Sequence, residues 1–590
     1  MRRLRLTCLL IAALCLCAAV LSAADISVTR TFRRAQPSLN TLDPAFGSDT
    51  TANCAISLLY QPLLDYDYSE RPYKLIPAAA AAMPDISPDG KVYTFHLRES
   101  YYTDDPCFGG KRRRVKASDF IFAWQRLADR TVGGSGEWIV ANILGMNAFS
   151  EATSGMAAAL SGLTGSAYDT RLKELRTSLY AKPIPGLTAP DDNTLRIELN
   201  KPNNQFLWLL AIAYTSPIAP EAEAYYSTRG TLSEHPVGAG AYKLKSWRRG
   251  YEIVFSRNPE WYGWKAVDFS APKVPFETIR YPLIKDASTQ WLMLLTGRLD
   301  FLEQIDRNNM EIAIDPKMGL APDLVRRGIR LFTSPTLKVY YLGFNMDDPV
   351  LGKNKPLRQA VNAAFDTARW TAYYRGRVKP LNTVAPYHVK DALKLPFPYA
   401  YDLNKAREKL KEAGYPGGID PKTGNRLELT VEVGNATQDT TESMELVASF
   451  LGAIGIKLNI SVNTWQAHLE KIRKRQSQMF LMGWVGDYPD LETFMQLFVS
   501  RNQSPGPNRS NYVNAEADRL YDIAVSSRDP KIITICWTKM QQIVLEDCPW
   551  LFLHYALDFS LVSDRVINYA PHNFPYGMEK HYRMKRPDGE

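Results

Sequence analysis

Between residues 400 and 500, apolar positions repeat with two different periods. From Leu403 to Ala413 they recur every three or four residues, and Gly414 with Pro416 ends that helix. The neighbouring segments are apolar in short runs, as strands are, or at helical spacing. The pattern predicts strands over 427–433, 456–462 and 478–484 and helices over 440–454 and 468–475. Helices that alternate with apolar strands predict a parallel or mixed sheet with helices on its faces.

The N-terminal half has a different pattern. Short strands are predicted over 92–97 and 195–199, a helix over 117–127, and extended chain with turns over 238–257. A chain of 590 residues exceeds what one hydrophobic core supports. The prediction is therefore an α/β architecture in two lobes.

Residues 478–490 combine a buried strand with a turn that carries carboxylates. Residues 479–482 are apolar on both faces, as in a strand inside a sheet, and Pro489 prevents the strand from continuing. Asp487 therefore follows the carboxyl end of a strand, where open α/β sheets bind ligands. Trp484 adds a flat aromatic surface at the same edge.

The residues after this turn predict a helix. Apolar side chains at 491, 494, 495 and 498 have helical spacing, with Asp490 as the natural N-cap. Asp487 is then not needed for capping, and it is either an ordinary turn residue or a ligand-binding residue. Paired carboxylates also occur in glycosidases and metal sites, but no Glu-x-x-His or His-x-x-His accompanies these two. No metal site is predicted.

The first 24 residues have the order of a secretory signal. Three arginines precede an uncharged run of 14 residues, and Ser22-Ala23-Ala24 suits cleavage. The run is too short to span a bilayer, so secretion to the periplasm is predicted. A lipid anchor is the alternative, because Cys8, Cys15 and Cys17 lie in this segment. None of them follows a suitable run of small residues.

Charge and cysteine content exclude other classes of protein. The net charge of +9 falls to +6 without the signal, too little and too dispersed for a nucleic-acid-binding protein. The cysteines that remain form no Cys-x-x-Cys pair, which argues against zinc or thioredoxin-like chemistry. Their disulfide pairing stays open, except that a helix between Cys536 and Cys548 would hold them about 18 Å apart. The other two are Cys54 and Cys107.

In order along nearly the whole mature chain, a series of segments resembles the large peptide- and nickel-binding proteins of ABC importers, solute-binding protein family 5. The segments are 40–44, 58–63, 93–99, 115–126, 235–242, 257–259, 296–300, 343–345, 357–360, 401–415 and 483–490. Two departures are Ala241, where the family has proline, and an insertion over 104–114 that carries Cys107.

The resemblance implies two α/β lobes hinged by two crossing strands, with ligand enclosed between the lobes. The implied first lobe is 25–282, with a subdomain near 68–186 and the C-terminal return 555–590. The implied second lobe is 283–554, and the crossings are 281–284 and 550–555.

The resemblance also implies the ligand and the partners. Asp487 would pair with the α-ammonium of a short peptide. The backbone partners would be Ser48, Asp49 and Thr50 in one lobe and Trp484, Val485 and Gly486 in the other. A monomer without cofactor or catalytic activity would deliver the ligand to a permease and its ATPase.

Two alternatives remain from the residues. The same scaffold could hold a metal chelate, haem, an oligosaccharide or an amine-bearing metabolite. A secreted hydrolase is the other, because Ser270-Ala-Pro-Lys273 and Lys422-Thr423-Gly424 mimic the motifs of penicillin-recognising enzymes. That chemistry needs its serine at the start of a helix, and Pro272 and Pro275 oppose a helix there.

Overall fold

The computed structural model describes residues 30–47, 49–227, 231–314, 319–434, 437–572 and 576–586. The predicted signal segment, 1–24, and Ser48 lie outside these residues. No helix within these ranges is long and apolar enough to cross a bilayer.

Several small sheets build the first lobe. Its strands are β1 (Thr31–Arg33), β2 (Leu64–Tyr66), β3 (Leu75–Pro77), β4 (Asp85–Ile86), β5 (Val92–His96), β6 (Leu187–Asp191), β7 (Thr194–Glu198), β8 (Tyr242–Arg248), β9 (Glu252–Arg257), β10 (Lys273–Pro275) and β11 (Thr278–Pro282). One sheet has the strand order β1-β11-β9-β8, another has the order β4-β5-β7-β6, and β2 pairs with β3.

Helices of this lobe cover the sheets and share one apolar core with them. They are α1 (Thr50–Leu59), α2 (Ala117–Ala128), α3 (Glu137–Val140), α4 (Met146–Leu160), α5 (Gly165–Tyr180), α6 (Phe206–Leu209) and α7 (Pro220–Tyr226). A charged pair is fully buried within this core. The guanidinium of Arg126 donates to both carboxylate oxygens of Asp43, at 2.8 and 3.3 Å, and the two side chains are 1% and 0% exposed.

One seven-stranded mixed sheet forms the second lobe. Its strands are β12 (Phe301–Leu302), β13 (Ile329–Phe344), β14 (Val378–Pro380), β15 (Glu428–Gly434), β16 (Lys457–Asn463), β17 (Met479–Val485) and β18 (Trp550–Ser563). Their order in the sheet is β12-β18-β13-β17-β15-β16, with β14 also paired to β18, and β19 (Arg583–Lys585) returns to pair with β10.

Separate apolar clusters cover the two faces of this sheet. The helices are α8 (Ala287–Leu295), α9 (Arg307–Ala313), α10 (Pro322–Arg326), α11 (Lys355–Ala363), α12 (Thr367–Tyr373), α13 (Leu403–Glu412), α14 (Gln438–Gly452), α15 (Trp465–Arg473), α16 (Glu492–Met495), α17 (Ala515–Ser526) and α18 (Pro530–Asp547). β15 is parallel to β16 and β17, with α14 and α15 as the crossovers.

The predicted α/β fold in two lobes is confirmed. Strands predicted over 427–433, 456–462 and 478–484 are β15, β16 and β17, each displaced by one residue. The domain boundaries stay predictions. The predicted crossing at 550–555 lies inside β18, which remains paired within the second-lobe sheet as far as Ser563.

Candidate functional site

The two faces of β17 have different surroundings. Trp484 packs against the second-lobe core, and Val339 stands opposite it in β13. Gly483 and Val485, which project from the other face, are exposed, and 53% of Val485 is accessible to solvent. The Trp484 side chain therefore does not line the cleft, in contrast to the aromatic surface that the sequence suggested.

One edge of β17 is open near its end. β15 pairs with β17 only at Met479 and Phe480, and no other described strand continues on that side. On the opposite side, the N–H of Gly486 donates to the carbonyl of Leu337 at 3.0 Å. Since hydrogen-bonding groups of a strand alternate between its two edges, the backbone N–H and C=O of Val485 point to the open side.

Asp487 follows this open edge in a tight turn. Its N–H donates to Thr493 Oγ1 at 3.0 Å, and that hydroxyl is 3.5 Å from Asp487 Oδ2. Within the described part of the chain, the carboxylate has no ion pair. Burial raises the pKa of Asp487 to about 6, and the contact with Thr493 opposes the shift. A carboxylate that has lost water without gaining a cation favours a cationic ligand.

The helix predicted with Asp490 as its N-cap is wrong in extent and in capping. The α-helix comprises only Glu492–Met495, with Leu491 at the N-cap position, and a 3₁₀ turn follows. Asp490 does accept the N–H of Glu492 at 2.9 Å, but it also accepts from Gln205 Nε2 of the first lobe at 2.8 Å. The carboxylate joins the two lobes instead of starting a long helix.

A third carboxyl group lies below this turn. Glu492 is buried and accepts hydrogen bonds from the hydroxyls of Tyr488 and Tyr521. Burial raises the pKa of Glu492 to about 7, and the neighbouring Asp490 and Asp487 add to the rise. Its two tyrosine donors fix the turn that carries Asp487.

The first lobe supplies the opposite wall of the cleft. Asp49 is the N-cap of α1, where its Oδ1 accepts the N–H of Ala52 at 2.9 Å, and Thr50 begins the helix. Asn53 Nδ2, one turn further along, donates to the hydroxyl of Tyr214 at 3.3 Å. Burial is the main cause that raises the pKa of Tyr214, and the carboxylates of Asp49 and Asp487 add to the rise.

A cavity of about 440 Å³ lies between these walls. Its floor carries Lys580, whose Nζ donates to Asp65 Oδ2 at 2.5 Å, so the charges of this pair balance. The structure brings Asp49, Thr50, Val485, Gly486 and Asp487 together in this cavity. The other lining residues are Asn53, Ser57, Pro62, Asp65, Tyr66, Trp138, Ala211, Ile212, Ala213, Tyr214, Tyr576 and Lys580.

Sequence reasoning missed the aromatic part of this lining. Trp138 and Tyr214 come from two distant parts of the first lobe, whereas Tyr576 and Lys580 both lie near the C-terminus. No local spacing connects these three regions, because only the folded chain places them side by side.

Beyond the cavity, the lobes also touch at the C-terminal end of α17. Asn204 donates its N–H to the carbonyl of Val525 at 3.0 Å. Its Nδ2 donates to the carbonyls of Ala524 and Ser527 at 2.8 and 3.0 Å. The last carbonyls of a helix have no partner within the helix, and here the other lobe supplies one. We call this contact the Asn204 clasp.

Three comparisons set this arrangement beside known proteins. Residues 74–506 match the bacterial extracellular solute-binding proteins, family 5 Middle. The chain is 24% identical to heme-binding protein A of Haemophilus influenzae over 534 residues, which cover 89% of this chain and 87% of the relative. It is 23% identical to the probable di/tripeptide-binding protein 5 of Pseudomonas aeruginosa, with 91% and 92% covered.

A solved structure shares the fold. It is that of DppA, a periplasmic binding protein of Helicobacter pylori, in complex with the peptide STSA. The TM-score is 0.67 at 23% sequence identity, with 94% of this chain and 98% of that chain covered. The likeness supports the architecture of two lobes around a cleft.

Proposed function

Because the chain belongs to the bacterial extracellular solute-binding proteins of family 5, we propose that it captures a short peptide between its lobes and delivers it to an ABC importer. The relatives named for di/tripeptide binding and for a bound peptide support this ligand class. In this proposal the protein is a periplasmic monomer, secreted by its signal segment, that catalyses no reaction and hands the peptide to a permease and its ATPase.

The observation that carries the proposal is the carboxylate of Asp487, which has no ion pair among the residues that the structure describes. A free peptide always has an α-ammonium group, and burying that charge requires a partner of opposite sign. Asp487 offers such a partner. Among the described residues that line this cavity, the one basic side chain is that of Lys580, and it is already paired with Asp65. In the proposed complex, Asp487 binds the ammonium group.

The open edge of β17 supports the second part of the proposal. An extended peptide can add to a strand edge through main-chain hydrogen bonds, which do not depend on the peptide's sequence. Val485 offers both backbone groups, whereas the N–H of Gly486 is used by Leu337 and Trp484 faces the core. Asp49 and Thr50, with the neighbouring Ser48, are proposed to contact the peptide from the first lobe.

The alternative is a non-peptide ligand on the same scaffold, and the relative named heme-binding protein A supports it. Iron ligands would have to come from histidine, cysteine, methionine or tyrosine side chains. Among the described residues that line the cavity, only tyrosines belong to that group. This composition favours the peptide.

Acetylation of the ligand provides a direct test. A pool of short peptides is expected to raise the melting temperature, since a ligand at 100 times its Kd adds about 2.7 kcal/mol of stability. The same pool after N-acetylation lacks the charge that Asp487 binds, so its effect should be much smaller. Equal shifts would remove Asp487 from the site. No shift with either pool, together with a shift with haem or a metal chelate, would replace the proposal with the alternative.

The pKa of Asp487 gives the binding a predicted pH dependence. A peptide ammonium stays protonated below about pH 7, so only the carboxylate titrates. Because the free protein has a pKa of about 6 at Asp487, the affinity should be constant between about pH 6 and pH 7 and fall about tenfold per pH unit below pH 6.

Calorimetry at several pH values checks this dependence. The other acids near the turn, Asp490 and Glu492, also have raised pKa values, and Asp49 faces the same cavity. The Asp487→Asn variant separates their contributions, because its remaining affinity should be independent of pH. The same decline in the variant would assign the titration to one of the neighbours.

A further inference from the structure

Three aromatic side chains line the cavity across from Asp487. Trp138 and Tyr214 belong to the first lobe, and Tyr576 lies near the C-terminus. Trp138 is 48% exposed and Tyr576 is 37% exposed. In the ranges that the structure describes, no other aromatic ring and no cation packs against any of the three. We call these three side chains the aromatic wall.

The exposure of Trp138 does not come from a loose segment. Its neighbour Ile139 is 1% exposed and belongs to the first-lobe core. On the other side, the carboxylate of Glu137 accepts from Arg130 Nη2 at 2.8 Å and from Ser150 Oγ at 2.6 Å. Tryptophan is usually well buried, so a ring that is held in place and still half exposed is available to a ligand.

Tyr214 connects Trp138 to the first turns of α1. Its hydroxyl accepts from Asn53 Nδ2 of that helix at 3.3 Å. A Cβ on Gly136 would lie 3.7 Å from Tyr214 Cδ2, so the other edge of the ring borders the segment that carries Trp138. The two rings are therefore neighbours in the folded chain.

Tyr576 is held against the same helix. A Cβ on the next residue, Gly577, would meet Ser57 Cβ at 2.6 Å, so the chain beside Tyr576 lies directly on α1. Asn53 and Ser57 are four residues apart and lie on the same face of the helix. One face of α1 thus positions both tyrosines before any ligand arrives.

The described lining of this cavity has an excess of negative charge. It contains three carboxylates, those of Asp49, Asp65 and Asp487, and one ammonium group, that of Lys580. Since Lys580 is paired with Asp65, the charges of Asp49 and Asp487 are left over. A cleft lined by one sign of charge attracts ligands of the opposite sign. The ligand end that enters this cavity is therefore cationic.

The aromatic wall favours a particular kind of cation. An ammonium group with three N–H groups seeks three acceptors. On the first-lobe side, Asp49 Oδ1 already accepts from Ala52 and the Tyr214 hydroxyl from Asn53. The faces of aromatic rings attract a cation without a directed hydrogen bond, which is how proteins bind methylated ammonium groups. Methyl groups on the nitrogen would therefore be tolerated here.

We propose that the aromatic wall binds the cationic end of the ligand from the side opposite Asp487, so that the site accepts an alkylated ammonium group. This inference rests on the proposed function and defines its ligand class further. Peptides whose first nitrogen is methylated, or belongs to the ring of proline, bind about as well as peptides with a free amino group.

Five synthetic pools of short peptides test the inference. They are identical after the first residue, which is glycine, its mono-, di- or trimethylated form, or tert-butylacetyl, the uncharged isostere of trimethylglycyl. Calorimetry compares the wild type with Trp138→Leu, Trp138→Phe and Trp465→Leu. Trp465 is an exposed tryptophan of α15 that does not line the cavity, so it is the matched control. Melting temperatures establish that the variants are folded.

The wild type should bind the glycine pool and the methylated pools with Kd values within about tenfold of one another, because contact with the rings offsets the lost N–H groups. A site of hydrogen bonds alone would lose about tenfold or more with each methyl group. Trp138→Leu should weaken the trimethylated pool about 5- to 30-fold, whereas Trp138→Phe keeps most of the affinity and Trp465→Leu all of it. The uncharged pool should bind at least about 100-fold more weakly than the trimethylated one.

Three results would overturn the inference while peptide capture stands. The first is a loss of more than tenfold from the glycine pool to the trimethylated pool in the wild type. The second is equal binding of the uncharged and trimethylated pools, which would make the wall a merely apolar surface. The third is unchanged binding of the trimethylated pool by folded Trp138→Leu. If no pool binds the wild type, the proposed function fails, and this inference fails with it.

Discussion

Replacing Asp487 with asparagine is expected to weaken peptide binding by about 2–5 kcal/mol, the usual cost of breaking a desolvated charge pair. That loss corresponds to about 30-fold to several thousand-fold in Kd. Asparagine keeps the shape of the side chain but cannot compensate the buried ammonium. Calorimetry measures the loss, and Asp522→Asn, at an exposed ion pair of α17 in the same lobe, is the matched control.

The same substitution should stabilise the protein without ligand. A folded-state pKa of about 6, above the usual value of 3.8, means that ionised Asp487 opposes folding. The penalty is largest above pH 6 and disappears as the pH falls below the unfolded pKa. At neutral pH, Asp487→Asn should therefore gain about 1–3 kcal/mol of stability.

Two effects of opposite sign distinguish a ligand-binding residue from a structural one. A structural aspartate would lose stability on replacement. The role in binding is contradicted by a loss of affinity below threefold in a folded variant. N-acetylated peptides add a second check, because they should bind the wild type and the variant with nearly equal affinity.

The largest predicted loss of stability belongs to Asp43→Ala. The substitution leaves the guanidinium of Arg126 buried without its main partner and removes the acceptor of the N–H groups of Ala45 and Leu232. Breaking a buried pair from one side costs about 3–5 kcal/mol. Hydrogen exchange should therefore quicken across the first lobe and stay unchanged in the second.

Two further variants make this prediction specific. Asp43→Ala combined with Arg126→Met should recover part of the lost stability, because no charge is then left buried alone. Asp323→Ala breaks an exposed contact with Arg326 and Arg327 and should cost less than about 1 kcal/mol. A loss of that small size for Asp43→Ala would show that the pair is not stabilising.

Sequence periodicity predicted the sheet of the second lobe well, because each of its elements carries its own pattern. β15, β16 and β17 are apolar strands bounded by turns, and α14 has a regular apolar face. The helix after Asp490 failed for a physical reason. Thr493 and Glu492 are as buried there as the apolar residues, so contacts with the rest of the protein, not an amphipathic face, determine the backbone.

The site was predictable only in part for a similar reason. Asp487 could be found because a strand, a turn and a surplus carboxylate coincide within one segment. The aromatic lining could not, because Trp138 and Tyr214 lie far apart in the chain and only the fold brings them to the same cavity.

The Asn204 clasp has a consequence for how this protein can evolve. Its acceptors are main-chain carbonyls, so residues 524–527 can be exchanged for others without losing a single hydrogen bond. The Gln205–Asp490 contact, by contrast, joins two side chains and is lost when either one changes. The side chains at the end of α17 are thus free to diverge, while the docking of one lobe on the other is inherited unchanged.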